Sequence, residues 1–394
     1  MIKTKSNVIL IHGTGMIGEK FYTRFYKKFY IAGFIDVRKR KEFHGIKVFR
    51  PDEIEIGKLK KTTIIVATNA KVYKDIKDFY EKKGLEEFED FIFWNELGRE
   101  LAIIYGNCHT HVLKHYLEMT PEFIKKYAIR SFSVFGYDVT NKSTDYNLVN
   151  HCDLLITQDI RKDNSTGVIS AEELIYKIPN RATSLIIPNL YGINLFYPQL
   201  YKGEDYGKIH IDNIGIEDPR RLYELRWESG FLNCRDKYIR LGLEGKISKQ
   251  DILNIMNSEN SISPEEIESN FNSGIHKIEC REKDWDIKIC DYIINNYKCK
   301  QLFYDPYHPT EVLICEIGRR LLEKINISST NIILEPILND TELFIYESVK
   351  KVLGLEYSQE YIRVGKLHAC LVSMGGLTRE EYIDDVLDWS GECV

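Results

Sequence analysis

Asn7 to His12 is a run of β-forming residues that meets Gly13-Thr14-Gly15-Met16-Ile17-Gly18, and Glu19 to Phe29 follows with apolar residues at helical spacing. That order commits the front of the chain to a strand, a glycine turn and a helix. In such a unit the glycines let backbone N–H groups at a helix N-terminus approach a phosphate. A second strand, Ile31 to Ile35, ends at Asp36, whose carboxylate is placed to accept from a ribose hydroxyl. A third, Thr62 to Thr68, follows a turn-rich stretch with Pro51. Gly13, Gly15, Gly18 and Asp36 are therefore the candidate cofactor-binding residues. The same glycines also serve packing of strand against helix, so the motif leaves both roles open. Arg38-Lys39-Arg40-Lys41 could meet phosphates or form a solvated turn. Trp94-Asn95-Glu96-Leu97 closes this front module, and without a Pro- or Ser-rich linker the next domain is expected close beside it.

The 394 residues exceed one average core and suggest two domains, at 1–98 and 99–394. A hydrophobic fraction of 43% with 29% charge is ordinary for a soluble globular protein, and a net charge of −5 supplies no field for nucleic acid. The start of the chain carries no secretory pattern, and no apolar run approaches the ~20 residues of a membrane helix. Nine scattered cysteines without a CxxC pair indicate neither a disulfide framework nor a zinc ribbon, and point to a reduced, cytoplasmic protein. Homo-oligomerisation is left open.

The strand, turn and helix pattern restarts at Leu101 to Tyr105, which runs into Gly106-Asn107-Cys108 and sets a thiol on a strand-to-helix turn. Asp153 to Thr157 is another buried type of strand, ending at Gln158-Asp159, and Ser184 to Ile187 a further one, ending at Pro188-Asn189. Polar groups at the carboxyl ends of successive strands converge on one edge of a parallel sheet, where open α/β folds place ligands. From Pro219 to Tyr297 the chain reads as mostly helical, interrupted by loops near Asn257 and Ser273. Gln301 to Tyr304 reads as a short strand delivering Asp305-Pro306-Tyr307-His308-Pro309-Thr310. Beyond Ile332 a helical stretch through Val352 and a tail with Gly375-Gly376 carry no legible chemistry.

Cys108, His308 and Asp305 supply a nucleophile, its base and an orienter for the base, the three parts of covalent acyl transfer. A helix N-terminus and an adjacent imidazole both favour a thiolate at Cys108. His308 takes the thiol proton, and Asp305, flanked by Pro306 and Pro309, fixes the imidazole tautomer. The backbone N–H of Cys108 and the amides of Asn107 or Gln158 are the oxyanion donors, with Asn189 and His109 nearby as substrate contacts. Each motif alone reads equally as a core cysteine or a turn. Their joint occurrence with strand-end amides favours the site.

Two resemblances add to this reading. Gly33-Phe34-Ile35-Asp36 followed by Gly45-Ile46-Lys47-Val48 resembles the N-terminal domain of PglD-like sugar acyltransferases, over about the first hundred residues. It implies a Rossmann-like module for a nucleotide or nucleotide-sugar. Gly106-Asn107-Cys108, Leu154-Leu155-Ile156-Thr157-Gln158, Ile187-Pro188-Asn189, Arg281-Glu282 and Phe303 to Pro309 together resemble the WcbI-type polysaccharide biosynthesis proteins, across most of 101–345. That resemblance implies an α/β fold like that of SGNH (GDSL-type) hydrolases, with a parallel sheet and a helical insertion. It also implies a bacterial capsule or surface-polysaccharide role, acyl-coenzyme A as co-substrate and transfer of an acyl group, acetyl in type, to a sugar or nucleotide-sugar. His109 stands where the resemblance implies glutamine.

The triad equally suits an esterase or deacetylase of the same fold, with water as acceptor, and a degenerate triad would leave a non-catalytic protein that binds coenzyme A or a nucleotide-sugar. His109, His111 and His115 raise zinc as a rival, but no carboxylate ligand is close in sequence, and no metal is expected. Cys280, Cys290, Cys299 and Cys315 lack ligand spacing and read as core.

Overall fold

The computed structural model describes residues 1–38, 41–55, 62–134, 148–161, 168–200, 236–329, 331–337, 342–362 and 377–391. Lys39 and Arg40, the start of the expected helical region at Pro219, and Gly375-Gly376 lie outside them. The fold is α/β. It divides into two compact units, Met1–Gly106 with Glu118–Leu185, and Asn107–Leu117 with Ile186–Val394.

The first unit opens with strands β1 (Val8–His12), β2 (Tyr30–Ile35), β3 (Glu42–Phe43), β4 (Ile46–Phe49), β5 (Thr63–Val66) and β6 (Phe91–Phe93) in one sheet. Their spatial order is β3-β4-β2-β1-β5-β6, parallel except for the β3–β4 pair. β1 sits between β2 and β5, so the crossovers diverge from it, and the carboxyl ends of β1 and β5 border the crevice that doubly wound sheets use for ligands. Helix α1 (Met16–Phe25) follows the glycine turn and α2 (Ala70–Lys82) follows β5. The side chain of Asn69 caps α2 by accepting from the Val72 N–H at 2.9 Å.

A second sheet in the same unit takes β7 (Glu100–Gly106), β8 (Tyr127–Ser133), β9 (Leu154–Gln158) and β10 (Thr183–Ile187) in the order β10-β9-β7-β8, with β7 parallel to both β8 and β9. β8 has no clear alternation or turn signal and escapes the sequence reading. One apolar core runs through both sheets, from Ile9, Ile11 and Phe34 to Leu101, Ile103, Ala128 and Leu155. Arg130 on β8 pins them together. Its guanidinium reaches Glu87 at 2.7 Å and Glu96 at 2.8 Å, lies 5.1 Å from the Phe88 ring centroid, and shares Glu87 with Lys77 at 2.6 Å. Burial opposes the charge on Glu87, but Arg130 and Lys77 outweigh it and hold the carboxyl down at about 2. Trp94 Nε1, just past the end of β6, donates to the Thr68 carbonyl at 3.0 Å.

The described second unit is mostly helical. Helix α3 (His109–Glu118) starts just past β7, and the chain later forms Lys237–Leu243, Lys249–Asn257, Pro264–Glu282, Cys290–Asn296, Glu311–Lys324, Glu347–Leu353 and Arg379–Gly391. Four expectations are corrected here. Cys280 and Cys299 are exposed and not core, one on the helix Pro264–Glu282 and one in the turn after Cys290–Asn296. Ser273 lies inside the helix Pro264–Glu282, not in a loop, because Gly274 lets that helix approach Leu195 and Asn194 so closely that a Cβ would come within 2.5 Å of the Leu195 side chain. Gln301 to Tyr304 forms no strand. Only an isolated bridge joins Phe303 to Pro309, since Pro306 and Pro309 lack the N–H groups that would extend a ladder. The helical stretch through Val352 is confined among the described residues to Glu347–Leu353, because the N–H groups of Leu343 and Ile345 are used by the Tyr304 carbonyl and Gln359 Oε1.

Candidate active site

The glycine turn of the first unit separates packing from access. Gly13 has φ +119°, and a Cβ there would come 2.6 Å from the Ala67 carbonyl; a Cβ on Gly18 would come 2.0 Å from the Gly13 carbonyl. Those two glycines are demanded by the fold. At Gly15 nothing lies within 4 Å of an added Cβ. It lines a cleft of about 550 Å³ together with the apolar side chains of Val72, Ile76 and Phe79 and the charged ones of Asp36 and Arg38. Asp36 is nearly buried and braces the turn. Its Oδ2 accepts from the Thr14 N–H at 2.8 Å and the Thr14 hydroxyl at 2.6 Å, and its Oδ1 accepts from the Arg38 N–H at 2.9 Å. Burial raises its carboxyl, and these donors more than offset it, so the pKa lies below the ordinary value. His12, at the end of β1, also lines the cleft; its Nδ1 lies 2.7 Å from the Tyr80 hydroxyl, and burial pushes its pKa down to about 4.

In the second unit the geometry gathers Asn107, Cys108, His109, Asn189, Asp305 and His308. Asp305 is fully buried, at the head of a tight turn. Its Oδ1 accepts from the N–H groups of Tyr307 at 2.6 Å and His308 at 3.0 Å, while its Oδ2 lies 2.7 Å from Nδ1 of His308. The Tyr304 N–H donates back to the His308 carbonyl at 2.9 Å and shuts the turn. A carboxylate bonded to Nδ1 places the ring proton there and leaves Nε2 for the other partner, the tautomer a general base requires. Burial works against a charged His308, but the hydrogen bonds with Asp305 and Cys108 outweigh it and raise its pKa to about 10. The side chain keeps 22% of its surface exposed, and Cys108 is half-buried.

Asn107 organises the start of α3. Its Oδ1 accepts from the His109 N–H at 3.0 Å, its carbonyl accepts from the Thr110 hydroxyl at 2.8 Å, and its amide nitrogen donates to Asn189 Oδ1 at 3.3 Å. Asn189 Oδ1 also takes the Tyr191 N–H at 3.2 Å. Arg281, on the helix Pro264–Glu282, donates to the carbonyls of Asn189 at 2.8 Å and Tyr191 at 3.1 Å, and Lys277 one turn earlier donates to Gly192 at 2.8 Å. Tyr191 and Tyr307 pack ring on ring at 4.7 Å. His109 is buried, with Nε2 2.7 Å from the Tyr307 carbonyl, and burial lowers its pKa to about 4 despite that bond.

Gln158, the remaining expected oxyanion donor, is fully buried at the end of β9 in the first unit. His111 and His115 are exposed on α3 while His109 is buried, and among the described residues no group of three or more His, Cys, Asp or Glu is arranged to hold a metal ion. Among those residues, too, no helix is long and apolar enough to cross a membrane. Tyr191 and Lys277 belong to no motif. The signal that could have found Lys277 is its i,i+4 spacing from Arg281, which sets both cations on one helix face.

The family model for "Polysaccharide biosynthesis enzyme WcbI" matches residues 101–208 and 235–330, a little over half of the chain, and those segments contain Asn107, Cys108, Asn189, Asp305 and His308. Among solved structures, a WcbI called a novel polysaccharide biosynthesis enzyme matches with a TM-score of 0.57 and 16% identity, over 75% of this chain and 90% of that one. It is described as native protein without a disulfide bond between coenzyme A and one of its cysteines. No curated protein sequence matches.

Proposed function

Because the chain belongs to the WcbI family of polysaccharide biosynthesis enzymes, we propose that it is an acyltransferase, acetyl in type, which moves an acyl group from acyl-coenzyme A to a sugar or nucleotide-sugar during synthesis of a capsular or other surface polysaccharide. The observation that carries this reading is the Asp305–His308 bond of 2.7 Å on an imidazole that also hydrogen-bonds Cys108.

The steps follow from the geometry. With its pKa raised to about 10, His308 already holds the Cys108 proton on Nε2 at neutral pH, and the thiolate attacks the thioester carbonyl of the donor. The oxyanion is met by the Cys108 backbone N–H and the Asn107 amide, each such donor contributing roughly 3 kcal/mol. As the tetrahedral intermediate collapses, the carbon–sulfur bond to coenzyme A breaks, and the departing thiolate takes the proton from His308. The acyl group now sits on Cys108. A sugar hydroxyl then gives its proton to His308 Nε2 and attacks the acyl-cysteine; the bond to Cys108 breaks and the thiolate regains the proton. Asp305 stays ionised throughout and steadies the imidazolium. The solved WcbI, described by reference to a disulfide between coenzyme A and a cysteine, supports coenzyme A as donor.

The nucleotide or nucleotide-sugar fits the Rossmann-like front module, residues 1–98. Its support is the cleft beside Gly15, with apolar walls for a base and the N-terminus of α1 for a phosphate. Gly13 and Gly18 keep the turn closed and Asp36 braces it.

Incubation with acetyl-coenzyme A followed by intact-mass measurement tests the nucleophile. An acetyl adduct present in the wild type and absent in Cys108→Ala is the expected result; adduct and product independent of Cys108 overturn it. The exposed fraction of His308 favours one second reading, an esterase or deacetylase in which water replaces the sugar hydroxyl. Release of free acetate at the same rate with and without candidate sugars would select it.

A further inference from the structure

The bonds that shape the Asp305 turn are internal to it. Asp305 Oδ1 accepts from the N–H groups of Tyr307 and His308, and the Tyr304 N–H donates to the His308 carbonyl. They fix how His308 is presented within the turn but not how far the turn stands from Cys108. A different bond spans that gap. His109, the residue next to the nucleophile, places Nε2 2.7 Å from the Tyr307 carbonyl, and its own backbone N–H is anchored to Asn107 Oδ1 at 3.0 Å. We propose that His109 is a positioning residue whose Nε2–H, donated to the Tyr307 carbonyl, sets the separation between the His308 base and the Cys108 nucleophile.

A carbonyl oxygen accepts and cannot donate, so the bond to Tyr307 requires a proton on Nε2 of His109. Burial and the neighbouring His308 both disfavour a second imidazolium, so the ring is neutral with Nδ1 bare of hydrogen. His308 is arranged the opposite way, with its proton on Nδ1 against Asp305. Two rings with centroids 6.5 Å apart therefore bond through opposite nitrogens, His109 fastening the turn through Nε2 and His308 held by Asp305 through Nδ1, which leaves its Nε2 for Cys108. A glutamine at 109 would also offer an N–H donor at the end of its side chain. A leucine would keep the volume and lose the donor.

The inference rests on the Cys108–His308 pairing and not on acyl transfer, so the test reads the pair directly. The rate of Cys108 alkylation by iodoacetamide, resolved by peptide mass spectrometry in the full chain at pH 7, is compared for wild type, His109→Gln, His109→Leu and His308→Ala, with a circular-dichroism melt of each. A displacement of about 1 Å costs about 100-fold at a reacting centre. His109→Leu is accordingly expected to slow alkylation on the order of 10- to 100-fold, toward the His308→Ala rate, while His109→Gln stays within about 3-fold of wild type. A wild-type rate in folded His109→Leu, or equal slowing in folded His109→Gln, overturns the proposal. Nitrogen-15 spectra of histidine-labelled wild type supply a second reading that needs no variant to fold: an Nε2–H tautomer at His109 supports the proposal and an Nδ1–H tautomer overturns it. If the alkylation order holds but acetyl-coenzyme A leaves no adduct, the acyltransferase reading fails and the positioning role stands.

Discussion

His308 Nδ1 lies 2.7 Å from Asp305 Oδ2, and the other oxygen of the same carboxylate takes the backbone N–H of His308. One acidic residue thus fixes both the ring and the backbone of its base. Asp305→Asn keeps the shape but presents an amide that can turn an N–H toward the ring and invert its tautomer. Loss of such a carboxylate costs on the order of 10⁴-fold in serine-protease triads. A fall of roughly 10³-fold or more in formation of the Cys108 acyl adduct is expected, measured by quenched-flow mass spectrometry. A fall under tenfold would remove Asp305 from the mechanism.

The same bond gives an alkaline signature. His308 is raised from its ordinary 6.5 to about 10 in the folded protein, with Asp305 and Cys108 outweighing burial. A raised folded pKa contributes stability that is complete below pH 6.5 and lost as pH rises through about 10. Urea midpoints at pH 6, 8 and 10 should therefore fall more for wild type than for His308→Gln, the two curves converging at the alkaline end.

Buried neutral histidines give an acid signature of the opposite slope. His12 and His109 are both held down at about 4 by burial. Between pH 6.5 and 4 the unfolded chain binds protons that the folded chain refuses, so stability drops as pH falls through that window. His12→Asn should flatten part of the drop in urea midpoints recorded between pH 7 and 4. An unchanged slope would mean that His12 is protonated in the fold.

Arg130→Met takes one of two cations from the buried Glu87 and leaves it to Lys77 alone. Stranding a buried charge costs about 3–5 kcal/mol, and the remaining Lys77 pair sets the expected loss lower, at about 2–3 kcal/mol. Chemical denaturation at pH 7 should show a loss in that range, and Arg130→Met with Glu87→Gln should recover part of it. Acid strengthens the case. A carboxyl held at about 2 contributes stability above its unfolded value near 4.5 and loses it as pH falls through about 2, roughly 3 kcal/mol for so large a displacement.

The front cleft yields a contrast between two glycines of one motif. Gly15→Leu fills open space at an ordinary backbone angle and should leave the melting temperature nearly unchanged while weakening binding of uridine or adenosine diphosphate, followed by calorimetry. Gly18→Ala drives a Cβ into the Gly13 carbonyl and should lower the melting temperature by several degrees, as about 1–3 kcal/mol of overpacking strain would.

Much of the fold and of the site is legible in the sequence because it rests on local chemistry. The strand ends at His12, Gly106 and Gln158 follow from apolar β-branched runs broken by glycine or amide. Asp305 and His308 are three residues apart, so one turn suffices to join them. What escaped was set by distant partners. β8 is a strand because β7 pairs with it, and its sequence Tyr127 to Ser133 does not announce it. Ser273 stays helical because Gly274 is pressed against Leu195. Arg281 and Lys277 reach the Asn189–Gly192 segment some 90 residues away in sequence, a pairing no short motif encodes.

The apolar core that passes from Ile11 through Phe34 to Ile103 and Leu155 carries a consequence for how such proteins diversify. A chain cut near residue 98 would leave Leu101 and Ala128 wet on one side of the cut and Ile9 and Ile65 wet on the other. The front sheet is therefore a poor cassette for recombination as a free piece. Changes of ligand at its glycine turn are more accessible by point substitution around Gly15, where the fold asks for nothing, than by exchange of the whole module.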